Sequence, residues 1–176
     1  FENNIGHRAV WSLNLNNVFC PNEPYVVTDF DIVPVEECPF DAIEHFEDIL
    51  FRYENACKVG FGLKVDDVPD SWLRKEQILV WEKHLWSDSH LVEPGVRFCP
   101  IDTTFALYKQ NREWELGNAY RTGNPYVARH LPWYTDTLNP TDEEIYYAQH
   151  SSSSSTWAQQ MIEDWNKYKV IKNKYK

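Results

Sequence analysis

Tyr25-Val26-Val27-Thr28-Asp29-Phe30-Asp31-Ile32-Val33-Pro34 is a short apolar run broken by two acids one residue apart. Its β-branched and aromatic residues predict a buried strand over 25–29, and in open α/β sheets ligands collect beyond the carboxyl ends of such strands. In an extended backbone Asp29 and Asp31 point the same way. Two hard oxygen donors can then converge on a divalent cation, or divide between a cation and a sugar hydroxyl. Phe30, between them, is directed into the sheet core, and Pro34 ends the strand. Taken alone, an Asp-x-Asp fits solvated turn carboxylates equally well, so its surroundings have to decide.

Outward from this run the chain alternates between helical and extended patterns. Residues 4–14 place Ala9, Val10 and Leu13 on one face and predict a short helix. Residues 39–54 predict the clearest helix: Pro39 suits a first turn, acids come early, and Ile43, Phe46, Leu50 and Tyr53 recur at helical spacing. A strand over 58–65 is followed by a helix over 71–87 with Ile78, Trp81 and Leu85 inward, then by a strand over 102–109. Thr141-Asp-Glu-Glu144 is a capping box that starts a helix to about 149. Helices alternating with short strands imply an α/β layered sheet in one domain. Residues 1–150 form its core, and 151–176 append a Ser-rich loop and an amphipathic, basic helix.

The 176 residues carry a formal net charge of −10, which argues against nucleic-acid binding, since phosphate contacts need clustered Lys and Arg. No apolar stretch reaches the length of a membrane span. Cys20, Cys38, Cys57 and Cys99 have neither Cys-x-x-Cys spacing nor a paired Cys/His pattern, so they read as free thiols of a reducing compartment rather than zinc ligands.

Further blocks extend the first one. Val27-Thr-Asp-Phe-Asp-Ile-Val-Pro34 is followed by Lys58-Val-Gly-Phe-Gly-Leu-Lys-Val-Asp-Asp-Val-Pro-Asp70, by Ile101-Asp-Thr-Thr-Phe-Ala-Leu-Tyr108, and by Arg121-Thr-Gly-Asn-Pro-Tyr-Val-Ala-Arg-His-Leu-Pro-Trp-Tyr134. In this order they resemble glycosyltransferases of the GT-A fold, in a bacterial and viral group described as family-2-like, over most of the chain to about residue 157. The resemblance implies a Rossmann-like mixed sheet with flanking helices. It also implies sugar transfer from a nucleotide-diphosphate donor to a glycan, lipid-linked or protein acceptor, with Mn2+ or Mg2+ stabilising the leaving pyrophosphate as a Lewis acid. By the same resemblance Asp31 is the direct metal ligand, Asp29 binds the ribose or reaches the metal through water, and His130 is the third ligand. Arg129 and Arg121 either pair with diphosphate oxygens or are surface charges. Proteins of this kind begin with a strand-helix-strand unit that grips the nucleotide, whereas Phe1-Glu-Asn-Asn-Ile-Gly6 resembles the segment just after it. The sheet is therefore expected to be incomplete at its N-terminal side.

Transfer with inversion needs a carboxylate to take the acceptor proton. Asp102, ahead of a strand whose counterpart lines the sugar pocket in the resembling family, is the first choice, and Asp67 the second. Thr103 and Asp66 are candidates for hydroxyl contacts, and Asp70 reads as a helix cap. Trp133 and Tyr134, beside His130, are the choice for an acceptor platform, because sugar C–H faces stack on aromatic rings. The five lysines of 167–176 could rest transiently on an anionic membrane, or be a solvated helix end, which suggests a cytoplasmic protein with peripheral membrane contact at most. Two rival classes use similar residues: a non-catalytic carbohydrate- or nucleotide-binding relic of the fold, and a metal-dependent hydrolase.

Overall fold

A computed structural model describes residues 5–102, 104–151 and 155–170. Two short helices, α1 (Ala9–Ser12) and α2 (Leu15–Phe19), lead into the strands β1 (Tyr25–Val27) and β2 (Ile32–Pro34). Then come α3 (Ala42–Arg52), β3 (Lys58–Leu63), α4 (Lys75–Glu82) with a 3-10 turn over Lys83–Trp86, β4 (Leu91–Glu93), β5 (Val96–Phe98) and β6 (Ala106–Tyr108). The 12-residue β7 (Ala119–His130), a 3-10 turn over Leu131–Tyr134, α5 (Asp142–His150) and α6 (Thr156–Tyr168) complete the described chain.

The architecture is α/β, with a mixed seven-stranded sheet of order β1-β6-β3-β7-β5-β4 and β2 on β7. β3 and β7 run parallel, and the remaining pairs are antiparallel. β5 holds β7 at 120–122 and β2 holds it at 128–130, so two short strands share one edge of the long one.

β3 explains how the layers divide. Its alternate residues Val59, Phe61 and Leu63 enter the main core with Phe46, Ile49 and Leu50 of α3. The same core takes Ile145 and Ala148 of α5 and Trp157, Ala158, Met161 and Trp165 of α6. On the opposite face Lys58 reaches Tyr108. Gly62 admits the Trp86 indole, which would lie 2.9 Å from a side-chain carbon added there. Trp86 Nε1 donates to Leu63 O at 3.0 Å, so the glycine is required by close approach.

The helix over 39–54 and the capped helix after Thr141 form as their patterns predict, the latter with both reciprocal capping bonds. Other expectations are corrected. The helix over 4–14 breaks at Asn14, whose φ of 57° is a left-handed conformation that asparagine tolerates. The helix over 71–87 shortens to 75–82, and its phase turns Glu82 inward with Ile78 while Trp81 is exposed. The strand over 25–29 stops at Val27 on a sheet edge, and Thr28–Asp31 turn the chain into β2. Short polar residues that bond their own backbone favour that turn, and Thr28 Oγ1 donates to Asp29 O at 2.7 Å. Phe30 consequently lies in solvent, 85% exposed, rather than in the core.

All four cysteines are free thiols. Among the described residues no helix is long and apolar enough to cross a membrane. The expected lysine-rich end beyond 170 lies outside the described residues.

Candidate functional site

Ile32 pairs with His130 across β2 and β7, and Leu131 N donates to Asp31 O at 2.9 Å. This register brings two blocks far apart in sequence to one point. His130 Nε2 lies 3.5 Å from Asp31 Oδ2, with the side chains 21% and 15% exposed. That separation is long for a hydrogen bond, whose heavy atoms sit about 2.7–3.2 Å apart. A cation with ligand distances of about 2.0–2.2 Å could touch both atoms, at an angle nearer the tetrahedral than the octahedral value. Asp31 Oδ1 and His130 Nδ1 are both buried without a hydrogen-bond partner. Buried polar atoms are nearly always satisfied, so two orphans in one pair need a reason. The facing atoms Oδ2 and Nε2 are of the kinds that ligate a divalent cation such as Mn2+ or Mg2+, while the orphaned Nδ1 points away from Nε2 on its ring. Trp133 packs its edge against His130 with centroids 4.9 Å apart and fixes the ring.

Asp29 stands apart from this pair. It is half-buried where β1 ends, within electrostatic reach of Tyr108 on β6, whose hydroxyl pKa it helps to raise. The turn after Val27 separates the two acids that an extended strand would have aligned. Among the described residues no three His, Cys, Asp or Glu side chains gather as a ligand set, so Asp31 and His130 meet without a third such ligand.

Three other candidates meet elsewhere. Arg129 Nε and Nη2 donate to Asp67 Oδ2 at 3.0 and 2.6 Å, and Tyr134 Oη donates to Asp67 Oδ1 at 2.6 Å. Tyr134 Oη also lies 2.9 Å from Lys64 O. Burial alone would raise the Asp67 carboxyl, but the Tyr134 hydroxyl and the Arg129 guanidinium outweigh it and hold it low. A carboxylate with both oxygens engaged and its proton affinity reduced makes a poor base, which corrects the catalytic expectation for Asp67. The same bonds commit Arg129 and Tyr134 to the end of β3. Trp133 is buried in the main core, so it cannot offer a face to an acceptor. Arg121 is also unavailable to phosphate, because it is buried against Glu82.

Asp66 is exposed and pairs with Lys64 at 2.7 Å, on the wall of a smaller cavity of about 310 Å³. Asp102 is exposed, and its main-chain oxygen lies 3.3 Å from Lys58 Nζ. Lys58 Nζ also donates to Ile101 O at 2.6 Å and Tyr108 Oη at 3.2 Å, and burial pulls its ammonium down to about 8. Thr103 lies outside the described residues.

Asp31 opens on the larger cavity, of about 610 Å³, which Asp102 does not line. Its wall is aromatic: Phe30, Tyr146, Tyr147, His150 and Trp157. Sequence reasoning directs Phe30 to the core and passes over Tyr146 and Tyr147. The available signal was Tyr146 and His150 four apart on the polar face of a capped helix, where their rings stack at 4.0 Å. The chain matches no protein-family model, no curated protein and no solved structure.

Proposed function

We propose that the protein is a metal-dependent glycosyltransferase that moves a sugar from a nucleotide-diphosphate donor to a hydroxylated acceptor. The observation that carries this reading is the meeting of Asp31 with His130, two metal-competent side chains, where Asp31 opens on the aromatic cavity. The mixed α/β sheet is compatible with the GT-A arrangement that the sequence blocks resemble. Mn2+ or Mg2+ held there would supply Lewis-acid stabilisation of the charge that builds on the diphosphate as the glycosidic bond breaks. The chain's own residues do the rest. Asp31 supplies a fixed negative ligand at the end of a tight turn. His130 presents a ring nitrogen as the second donor. Trp133 and the pairing of β2 with β7 hold both donors in place.

The test is release of nucleoside diphosphate from a panel of UDP- and GDP-sugars, with and without Mn2+ and with saccharide acceptors. Turnover stimulated by Mn2+ and lost in Asp31→Ala is expected. Donor binding without turnover under every condition would assign the protein to the non-catalytic class, and metal-stimulated cleavage of saccharides without any donor would make it a hydrolase.

A further inference from the structure

The aromatic cavity beside Asp31 is larger than a metal centre requires. At about 610 Å³ it falls within the range of small-ligand sites, about 300–1,000 Å³. Phe30 is 85% exposed on its rim and meets Tyr147 edge to face, with centroids 6.4 Å apart. Tyr146 is exposed beside them. Clustered exposed rings are costly in water and mark a surface built for a ligand.

The polar part of the wall narrows the class of ligand. Asp31, Glu143 and Glu144 line the cavity, and no Lys or Arg among the described residues does. Without a bridging cation a phosphate would be repelled from such a wall, and an acyl chain would strand the carboxylates without water. Glu144 Oε2 is occupied, accepting from Thr141 N at 2.6 Å and from Thr141 Oγ1 at 2.9 Å, while Glu143 is exposed on the same wall and can turn to a ligand. Trp157, only 9% exposed, lines the cavity with its indole N–H buried and unpartnered. A ligand that offers an apolar C–H face to rings, and hydroxyls that both donate to carboxylates and accept from an indole, satisfies every one of these groups.

We propose that this cavity binds the pyranose ring of a neutral glycan, stacked on Phe30 and Tyr147, with hydroxyls turned to Glu143 and Trp157, and serves as the acceptor subsite. Its role as acceptor subsite rests on the transferase reading; saccharide binding does not. The platform is thus moved from Trp133 and Tyr134, which are engaged elsewhere, to rings contributed by the Asp-x-Asp turn and α5.

Saturation-transfer NMR with methyl glucoside, galactoside and mannoside and their disaccharides tests this on the protein without metal. At least one pyranoside should show saturation concentrated on the C–H atoms of one ring face. Phe30→Ala and Tyr147→Ala should each weaken its binding by about tenfold, the size of one lost ring contact. Both side chains are exposed, so circular dichroism should be unchanged. Binding indifferent to both substitutions, no binding by any pyranoside, or a site taken by 1-decanol that no pyranoside displaces would each overturn the proposal. Nucleoside diphosphate release, measured in parallel, separates the two readings. Its absence with ring-dependent saccharide binding intact removes the transferase and keeps the site, whereas Mn2+-stimulated release without ring-dependent saccharide binding removes the site and keeps the transferase.

Discussion

Of the acid–base contacts that β7 makes with neighbouring elements, those of Arg121 and His130 are built in opposite ways. At Arg121 the guanidinium bonds Glu82, both side chains are 6% exposed, and the Leu63 main chain also bonds the carboxylate. Burial raises the Glu82 carboxyl, with Arg121 working against it. At His130 the partner is Asp31, no hydrogen bond closes the gap, and one polar atom of each side chain is orphaned beside a cavity. The first contact is closed by a hydrogen bond that holds α4 to the sheet, although Arg121 Nε is itself buried without a partner. The second is open between its facing atoms and adjoins a cavity, and that difference in closure and access separates a fold-making pair from a candidate site.

The largest effect should come from unbalancing the buried, bonded pair. Removing one partner leaves a buried charge alone, which costs about 3–5 kcal/mol. Arg121→Met should therefore lower stability in urea unfolding by about that amount, and the double change Arg121→Met with Glu82→Leu should recover most of it. A single substitution costing under about 1 kcal/mol would mean that the pair is not buried as described and would dissolve the contrast.

At the unsatisfied pair the signs reverse. Asp31→Ala should lower Mn2+-stimulated donor turnover by about 10²–10³-fold, as expected when a group stabilising developing charge is removed. Unfolding should shift by less than about 1 kcal/mol, because no hydrogen bond is lost. His130→Ala should act in the same direction. Loss of stability without loss of turnover in Asp31→Ala would assign this pair to the same structural class as Glu82 with Arg121.

How far these regions could be read from sequence depends on the range of the contacts that make them. α3 and α5 are local: Phe46, Ile49 and Leu50 follow helical spacing, and the Thr141 capping box closes within one turn. β2, β4 and β5 have three residues each and exist only because β7 or a neighbouring strand pairs with them, so no periodicity announces them. The α/β layering was legible for this reason and the sheet order was not. Asp31 and His130 could be named, the histidine through a resemblance rather than a pattern, but their meeting depends on the register of Ile32 with His130. Phe30 misleads because an apolar residue between two acids suits an extended strand and a tight turn equally well. The burial of Arg121, unlike that of Arg129, follows from Glu82 on a helix whose sequence pattern points inward through Trp81 instead.

Lys58 extends the comparison to a buried cation held by neutral partners. Burial holds its ammonium near 8, against the ordinary 10.5. Stability rises with pH wherever the unfolded chain binds more protons. Between those two values the unfolded chain keeps the lysine proton that the folded chain has shed, so wild type should gain on Lys58→Met across that window. The gain is on the order of 2 kcal/mol, since a tenfold difference in proton affinity corresponds to about 1.4 kcal/mol and part of the gap lies outside a practical range of pH. Urea unfolding of both proteins at about pH 7.5 and about pH 10 measures the difference. A constant difference would mean that the bonds to Ile101 and Tyr108 keep the ammonium charged, placing Lys58 with the fully satisfied groups.

The smallest effect is expected at Asp67, which sits between the two extremes: well bonded, like Glu82, but a third exposed. Asp67→Asn keeps the shape and can still accept from Tyr134, while its amide turns a donor or a neutral oxygen toward Arg129. Solvent screening limits the loss to about 1 kcal/mol, or about 2–4 °C in Tm for a chain of this size. Because the folded carboxyl is held below its ordinary 3.8, its contribution is present above that value and disappears as pH falls through the lower, folded one. The wild-type advantage should accordingly be full at neutral pH and vanish in strong acid. Mn2+-stimulated turnover should survive in Asp67→Asn, since this carboxylate braces Arg129 and Tyr134 without lining the aromatic cavity. If turnover instead falls by about 10²–10⁴-fold while saccharide binding and Tm hold, Asp67 is the proton acceptor after all, and a carboxylate can be both fully bonded at rest and functional.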